Sequence, residues 1–228
     1  MPIIWHIMKI YSHFGHREFI LPLGFKGDLI KEYFMNFHWR ANNFTLNLMD
    51  KDLSVHENHK NENWTIHFVD TGLETKTALR LKKVKNLLEQ DNMFMLTYGD
   101  GVADMNIKKL VDFHLSQKKI ATITAIRVPS RFGSLSIQDN CLKKFEEKPC
   151  DDSYINGGFM VLNSAVFDDI SDEDVMLEEA NGPLVKLVAR GQVAVYQHKG
   201  LWQCMDTYRD YLKLNQLWKE NPQWKLWE

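Results

Sequence analysis

The stretch Met93-Phe94-Met95-Leu96-Thr97-Tyr98-Gly99-Asp100-Gly101 decides the fold. Apolar and β-prone residues run unbroken into a glycine-flanked aspartate, the pattern of a strand buried on both faces that ends in a loop. Such a strand belongs to a sheet with helices on each side. Sheets of that kind take ligands outside the carboxyl ends of their strands, which makes Asp100 a site candidate. Gly99 and Gly101 allow backbone to approach a ligand closely. From spacing alone, a tight turn with a capping Asp explains the same string equally well.

Strands and helices alternate outward from this stretch. Toward the N-terminus, Ile4, Ile7, Met8 and Tyr11 recur at helical spacing, with Pro2 suited to a first turn. Phe19-Ile20-Leu21-Pro22-Leu23 reads as a short strand running into Gly24-Phe25-Lys26-Gly27, then a helix over 28–37 with Leu29, Ile30, Tyr33 and Phe34 on its inner face. Residues 40–63 are polar and without steady period, which predicts a loop with a short irregular strand. A strand over 65–69 and a helix marked by Leu81, Val84, Leu87 and Leu88 lead back to the central stretch. Beyond it come a helix with Ile107, Leu110, Val111 and His114, then a strand over 121–126. The half after Ser130 is richer in strands, at 134–138, 142–145 and 159–162. A helix from Pro183 to Ala189 closed by Gly191, a strand over 193–197 and an amphipathic helix over 207–218 complete the chain. The class is therefore α/β, with a mixed, mostly parallel sheet and flanking helices, in one domain over residues 1–228.

Composition fits an ordinary globular domain, since 44% hydrophobic and 25% charged residues with few Gly and Pro exclude collagen-like and largely disordered classes. With 28 basic against 30 acidic side chains no polybasic surface forms, so neither nucleic acid nor an anionic membrane is an expected partner. Cys141, Cys150 and Cys204 form no C-x-x-C pair and fit neither a disulfide framework nor a zinc site. No basic n-region opens the chain and no apolar run reaches membrane-spanning length, which makes the cytoplasm the expected compartment. In that compartment the glycosylation patterns Asn43-Phe44-Thr45 and Asn63-Trp64-Thr65 are accidents.

A second carboxylate, Asp206, stands where a short strand passes into the last helix. Taken alone it reads as a helix N-cap. Paired with Asp100 it has another use, because two carboxylates at strand ends are a usual holder of Mg²⁺, whose shell is completed by waters and substrate phosphates. Lys148 in Glu146-Glu147-Lys148-Pro149 is either a solvated loop lysine or a point charge for a phosphate. Ile155-Asn156-Gly157-Gly158-Phe159 offers an amide and paired glycines to a hydroxylated ligand, or simply a turn. Gly24-Phe25-Lys26-Gly27 lies between strand and helix like a phosphate loop but lacks the full P-loop pattern. His6, His67, His114 and His198 share no metal-ligand spacing and read as half-buried polar side chains.

These strings together carry a resemblance. Pro2 to Lys9, Gly24 to Gly27, Val69-Asp70-Thr71-Gly72, Thr97 to Asp104, Glu147-Lys148-Pro149, Ile155 to Phe159 and Met205 to Asp210 are dispersed along almost the whole chain. On them the protein resembles the nucleotide-sugar pyrophosphorylases, in the cytidylyltransferase branch. The resemblance implies a Rossmann-like nucleotidyltransferase fold and transfer of a cytidylyl group from CTP to α-D-glucose 1-phosphate. CDP-glucose and pyrophosphate would be the products, on the route to dideoxy sugars of surface polysaccharide. By motif, Asp100 and Asp206 would hold Mg²⁺, with Gly99 giving room beside the nucleotide. Lys148 would act on the sugar phosphate, Glu147 and Asn156 would bind sugar hydroxyls, and Thr75 and Arg80 match nucleotide-contacting positions. A homo-oligomer is implied as well.

Two departures from the family pattern stand out. Family chains open on a strand and a G-G-x-G-T-R loop followed by K-P-K-P-M, and this sequence starts after both, so it is expected to be N-terminally truncated relative to the family. The two neighbours of that strand should then expose ladder groups and apolar surface. Where family members carry T-G-G-R-L, this chain has Thr77-Ala78-Leu79-Arg80-Leu81, which adds bulk near the expected base position. A non-catalytic protein that keeps the sugar-phosphate pocket or an oligomer interface is the alternative to an enzyme.

Overall fold

The alternation of short apolar runs with amphipathic ones resolves into seven helices and twelve strands among the described residues, 1–56, 62–128, 134–138, 141–146 and 153–227, of a computed structural model. In chain order they begin α1 (Ile3–His13), β1 (Glu18–Leu23), α2 (Gly27–Met35), α3 (Phe37–Ala41), β2 (Asn43–Asn47), β3 (Asp52–His56) and β4 (Thr65–Asp70). The middle holds α4 (Thr77–Lys83) with a 3-10 turn after it, β5 (Met93–Leu96), β6 (Gly101–Ala103), α5 (Ile107–Gln117) and β7 (Ala121–Ile126). Then follow β8 (Ser134–Gln138), β9 (Cys141–Glu146), β10 (Ile155–Asn163), α6 (Pro183–Ala189), β11 (Val193–Gln197), β12 (Trp202–Cys204) and α7 (Tyr208–Glu220).

The main sheet has the order β11-β7-β10-β5. β7 and β11 run parallel, and β10 is antiparallel to both of its neighbours, which is what makes the sheet mixed. Parallel β1 and β4 form a separate pair, β6 and β12 an antiparallel one, and β2–β3 and β8–β9 are hairpins.

β10 shows why helices cover both faces. Its residues Phe159, Met160, Val161 and Leu162 are all fully buried, and with a side-chain period of two they feed opposite cores. Phe159 and Val161 join Ile7, Ile10, Leu110 and Leu214 of α1, α5 and α7. Met160 and Leu162 join Leu81, Leu184 and Leu187 of α4 and α6. A strand that must be apolar on both faces has no polar alternation, and the sequence shows none there.

Two local expectations change. The helix expected over 28–37 ends at Met35 and restarts as α3, and Leu29 is 58% exposed instead of facing inward. Gly27 sets the phase: a Cβ there would stand 2.9 Å from that of Leu23, so the face through Gly27, Ile30 and Phe34 turns inward and Leu29 falls off it. The polar stretch 40–63 contains the β2–β3 hairpin, whose exposed Phe44, Leu46 and Leu53 alternate with polar residues.

β1 and β5 face one another across a cleft of about 580 Å³ that both strands line. Cys141 is exposed and Cys204 buried, while Cys150 lies outside the described residues. Among the described residues no helix is long and apolar enough to cross a membrane.

Candidate active site

Asp100 and Asp206 are 106 positions apart in sequence, and one strand pair brings them together. Asp100 immediately precedes β6, Asp206 follows β12, and Cys204 stands opposite Gly101 in the antiparallel register. The Met205 N–H donates to the Asp100 carbonyl at 2.8 Å and fixes the junction. Burial, and then the charge of Asp206, push the Asp100 carboxyl above the usual carboxylate range. Repulsion between two such groups is what a bound cation relieves.

The reading of Asp206 as an N-cap does not hold. Thr207 caps α7: its hydroxyl accepts from the Asp210 N–H at 3.2 Å, while the Asp210 carboxylate accepts from the Thr207 N–H at 3.1 Å. That reciprocal box occupies the helix terminus one residue beyond Asp206 and leaves its carboxylate to the site. The Cys204 thiol donates to it at 3.4 Å.

Asn156 stands beside this pair. A bulge in β10 between Asn156 and Met160 places Gly157 and Gly158 where the ladder shifts register. Gly158 has φ +79°, and a Cβ there would meet the Tyr98 ring at 2.9 Å. Trp202 of β12 donates its indole N–H to the Gly157 carbonyl at 2.8 Å. The bulge is thereby wedged between the residue that leads into Asp100 and the strand that leads to Asp206. The Asn156 amide donates to Glu178 at 3.0 Å, and the Tyr98 hydroxyl donates to the same carboxylate. Burial first, and then Glu178, raise the Tyr98 phenol far above its ordinary value, so it remains a donor at any physiological pH.

Thr75 and Arg80 form a neighbouring cluster. Arg80 donates to the Leu23 carbonyl at 3.0 Å, the Thr71 hydroxyl at 2.6 Å and the Leu73 carbonyl at 3.1 Å, tying the end of β1 to the loop after β4. Thr75 donates to the Thr71 carbonyl at 2.6 Å, and Lys83 donates to the same oxygen at 2.7 Å. The guanidinium lies so close to Gly24 that a Cβ there would meet it at 2.4 Å. Gly24-Phe25-Lys26-Gly27 closes as a turn by a 3.0 Å bond from the Gly27 N–H to the Gly24 carbonyl, and what it accommodates is Arg80. The two clusters meet where the Thr77 hydroxyl accepts from the Leu177 N–H at 2.9 Å, next to Glu178. Ala78 is fully buried in the α4 core, so of Ala78 and Leu79 only Leu79 retains exposed surface.

The structure thus unites Asp100, Asp206, Gly99 and Asn156, sets Thr75 and Arg80 beside them, and leaves Glu147 and Lys148 outside the described residues. Sequence reasoning missed Glu178 and Tyr98. Glu178 lies in an acidic stretch over 172–179 that reads as solvated surface, and only its tertiary contacts single it out. Among the described residues no three His, Cys, Asp or Glu side chains gather, so protein ligands alone close no metal cage. Two carboxylates with open positions suit a hard divalent cation that shares its shell with phosphate oxygens.

Residues 32–221 match the Nucleotidyl transferase family. The glucose-1-phosphate cytidylyltransferase of Salmonella typhi is 44% identical over 230 residues, covering 100% of this chain and 88% of that protein. The enzyme of the same name from Salmonella typhimurium gives the same identity and coverage. Among solved structures, HddC from Yersinia pseudotuberculosis complexed with GMP-PN superposes with a TM-score of 0.65 at 18% identity, covering 95% of this chain and 85% of that one. The chain belongs to the nucleotidyl transferase family and is a nucleotidyltransferase.

Proposed function

We propose that this nucleotidyltransferase transfers the cytidylyl group of CTP to α-D-glucose 1-phosphate, giving CDP-glucose and pyrophosphate in the cytoplasm for dideoxy-sugar and surface-polysaccharide synthesis. The names of the relatives at 44% identity support the substrates. The observation that carries the reading is the approach of Asp100 and Asp206 across the β6–β12 pair, beside the Asn156–Glu178–Tyr98 cluster.

The reaction is an in-line displacement in which a sugar-phosphate oxygen forms a bond to the α-phosphorus as the bond to pyrophosphate breaks. That oxygen is already anionic at neutral pH, so the protein need not remove a proton, and positioning with charge neutralisation supplies the rate. Asp100 and Asp206 would hold Mg²⁺, which when bound neutralises triphosphate charge. Gly99 leaves backbone room for the nucleotide. Asn156, with its amide fixed by Glu178, receives sugar hydroxyls together with Glu147, and Lys148 meets the sugar phosphate. Thr75 and Arg80 form the nucleotide side, Arg80 through the loop whose carbonyls it holds.

Pyrophosphate release with CTP, UTP and dTTP, each with glucose 1-phosphate and Mg²⁺, tests this reading. CTP should be preferred, and Asp100→Asn and Asp206→Asn should each lower kcat/KM about 10²–10³-fold. Asn156→Ala should raise KM for glucose 1-phosphate more than it lowers kcat. Full activity in either aspartate variant would remove the metal assignment, and no release from any nucleotide would remove the reaction.

A further inference from the structure

The loop after β4 closes round one hydroxyl. Thr75 Oγ1 donates to the Thr71 carbonyl at 2.6 Å, a direction the carbonyl dictates because it has no proton to give. Lys83, the last residue of α4, donates from its ammonium to the same carbonyl at 2.7 Å and to Thr75 Oγ1 at 3.3 Å. Gly72 makes room for this arrangement: its φ is +96°, and a Cβ there would stand 2.8 Å from Thr75 Oγ1 and 3.7 Å from Lys83 Nζ. The frame is held from the other side, where Arg80 donates to Thr71 Oγ1 and to the Leu73 carbonyl, and the Thr71 hydroxyl donates to the Leu23 carbonyl at 2.8 Å.

A hydroxyl has one proton and two lone pairs. Among the described residues the Thr75 proton is spent on Thr71 and one lone pair on Lys83, which leaves a ligand one acceptor and no donor. Turning the proton outward would forfeit the bond to Thr71, and turning it the other way would set it against the ammonium. The polarity matters to a pyrimidine, because cytosine carries an amine donor at its 4-position where uracil and thymine carry a carbonyl acceptor.

Resting on the reading that Thr75 belongs to the nucleotide side of the site, we propose that Lys83 is a positioning residue that fixes the Thr75 hydroxyl as an acceptor. The loop then takes a pyrimidine with an amine at the 4-position and disfavours one with a carbonyl there. An acceptor set against a carbonyl oxygen leaves both without a proton between them, and a polar group that cannot turn discriminates strongly for that reason. A hydroxyl free to rotate would serve either base. Lys83 touches no base in this arrangement and selects only through Thr75.

The test compares pyrophosphate release, with glucose 1-phosphate and Mg²⁺, from CTP, UTP and the 5′-triphosphate of 1-ribosylpyrimidin-2-one, which has neither amine nor carbonyl at the 4-position. In the unaltered chain kcat/KM should fall at least about tenfold from CTP to the unsubstituted analogue, and further for UTP. Lys83→Met should bring CTP and UTP closer by about three- to tenfold, and Lys83→Arg should keep most of the preference. Thr75→Val should bring CTP level with the unsubstituted analogue. A lysine that merely attracts phosphate would, on removal, raise KM for all three nucleotides together and leave their ratios alone. Unchanged ratios in Lys83→Met overturn the proposal, and so does equal use of CTP and the unsubstituted analogue by the unaltered chain, a comparison that needs no variant to fold. Either result with CTP still turned over removes this assignment alone, whereas no release from any nucleotide removes the reaction and the assignment with it.

Discussion

Gly158 holds a φ of +79° with the Tyr98 ring 2.9 Å from where a Cβ would stand, so backbone strain and a steric conflict coincide at one position. Gly158→Ala should cost about 1–2 kcal/mol of stability from the left-handed backbone alone, measured as a lowered urea midpoint. It should also lower activity, because Asn156 and Tyr98 both take their places from this bulge. His6 makes a different prediction. Burial lowers its imidazole to about 4 from an ordinary 6.5, among Trp5, Trp218 and Trp224. With the folded value depressed, the unfolded chain binds the extra proton, so this contribution to stability is complete above pH ~6.5 and is lost as pH falls toward 4. The loss amounts to about 3 kcal/mol. Denaturant midpoints of the wild type and His6→Phe should diverge less at pH 7.5 than at pH 4.5 in the sense that only the wild type loses this increment; parallel curves would refute it.

At the scale of elements, the capping box of α7 belongs to Thr207 and Asp210, and on the proposed reading the adjacent Asp206 serves the chemistry instead. Thr207→Ala removes a capping hydroxyl and should cost about 1 kcal/mol, or ~2–4 °C in Tm, with kcat little changed. Asp206→Asn should do the reverse, leaving Tm nearly unchanged while activity falls. Equal stability losses in the two variants would return Asp206 to a capping role. Sequence pattern located α6 and β11 at their observed bounds, because Pro183, Gly191 and the run Val193-Ala194-Val195-Tyr196 are local signals. It misjudged the inner face of α2, where the helix phase depends on a contact between Gly27 and Leu23 that no periodicity records.

At the scale of the molecule, the site lies on the four-stranded sheet and its attached β6–β12 pair, while the β1–β4 pair stands across an apolar cleft. A ligand that binds only the native state stabilises the whole, by about 2.7 kcal/mol at one hundred times its Kd. CTP with Mg²⁺ should therefore raise Tm by roughly 5–10 °C at such a concentration, and chelation with EDTA should remove most of the shift. A nucleotide shift indifferent to EDTA would mean that Asp100 and Asp206 hold no metal.

What the sequence by itself determined is local: the alternation of strands and helices, the glycine-flanked Asp100 at a strand end, Asp206 at the mouth of the last helix, and the dispersed strings that mark the family. Periodicity and turn chemistry report burial and backbone shape within a few residues, and these features need no more than that. The tertiary structure alone decided that Asp100 and Asp206 come together across the β6–β12 pair, that Glu178 fixes Asn156 and Tyr98, that Arg80 is bound to Leu23, and that β1 and β5 are separated by a cleft. Each is a meeting of segments tens of residues apart in sequence, set by strand register and by core packing on both faces of β10, and a linear pattern carries no measure of which distant partner a residue will face.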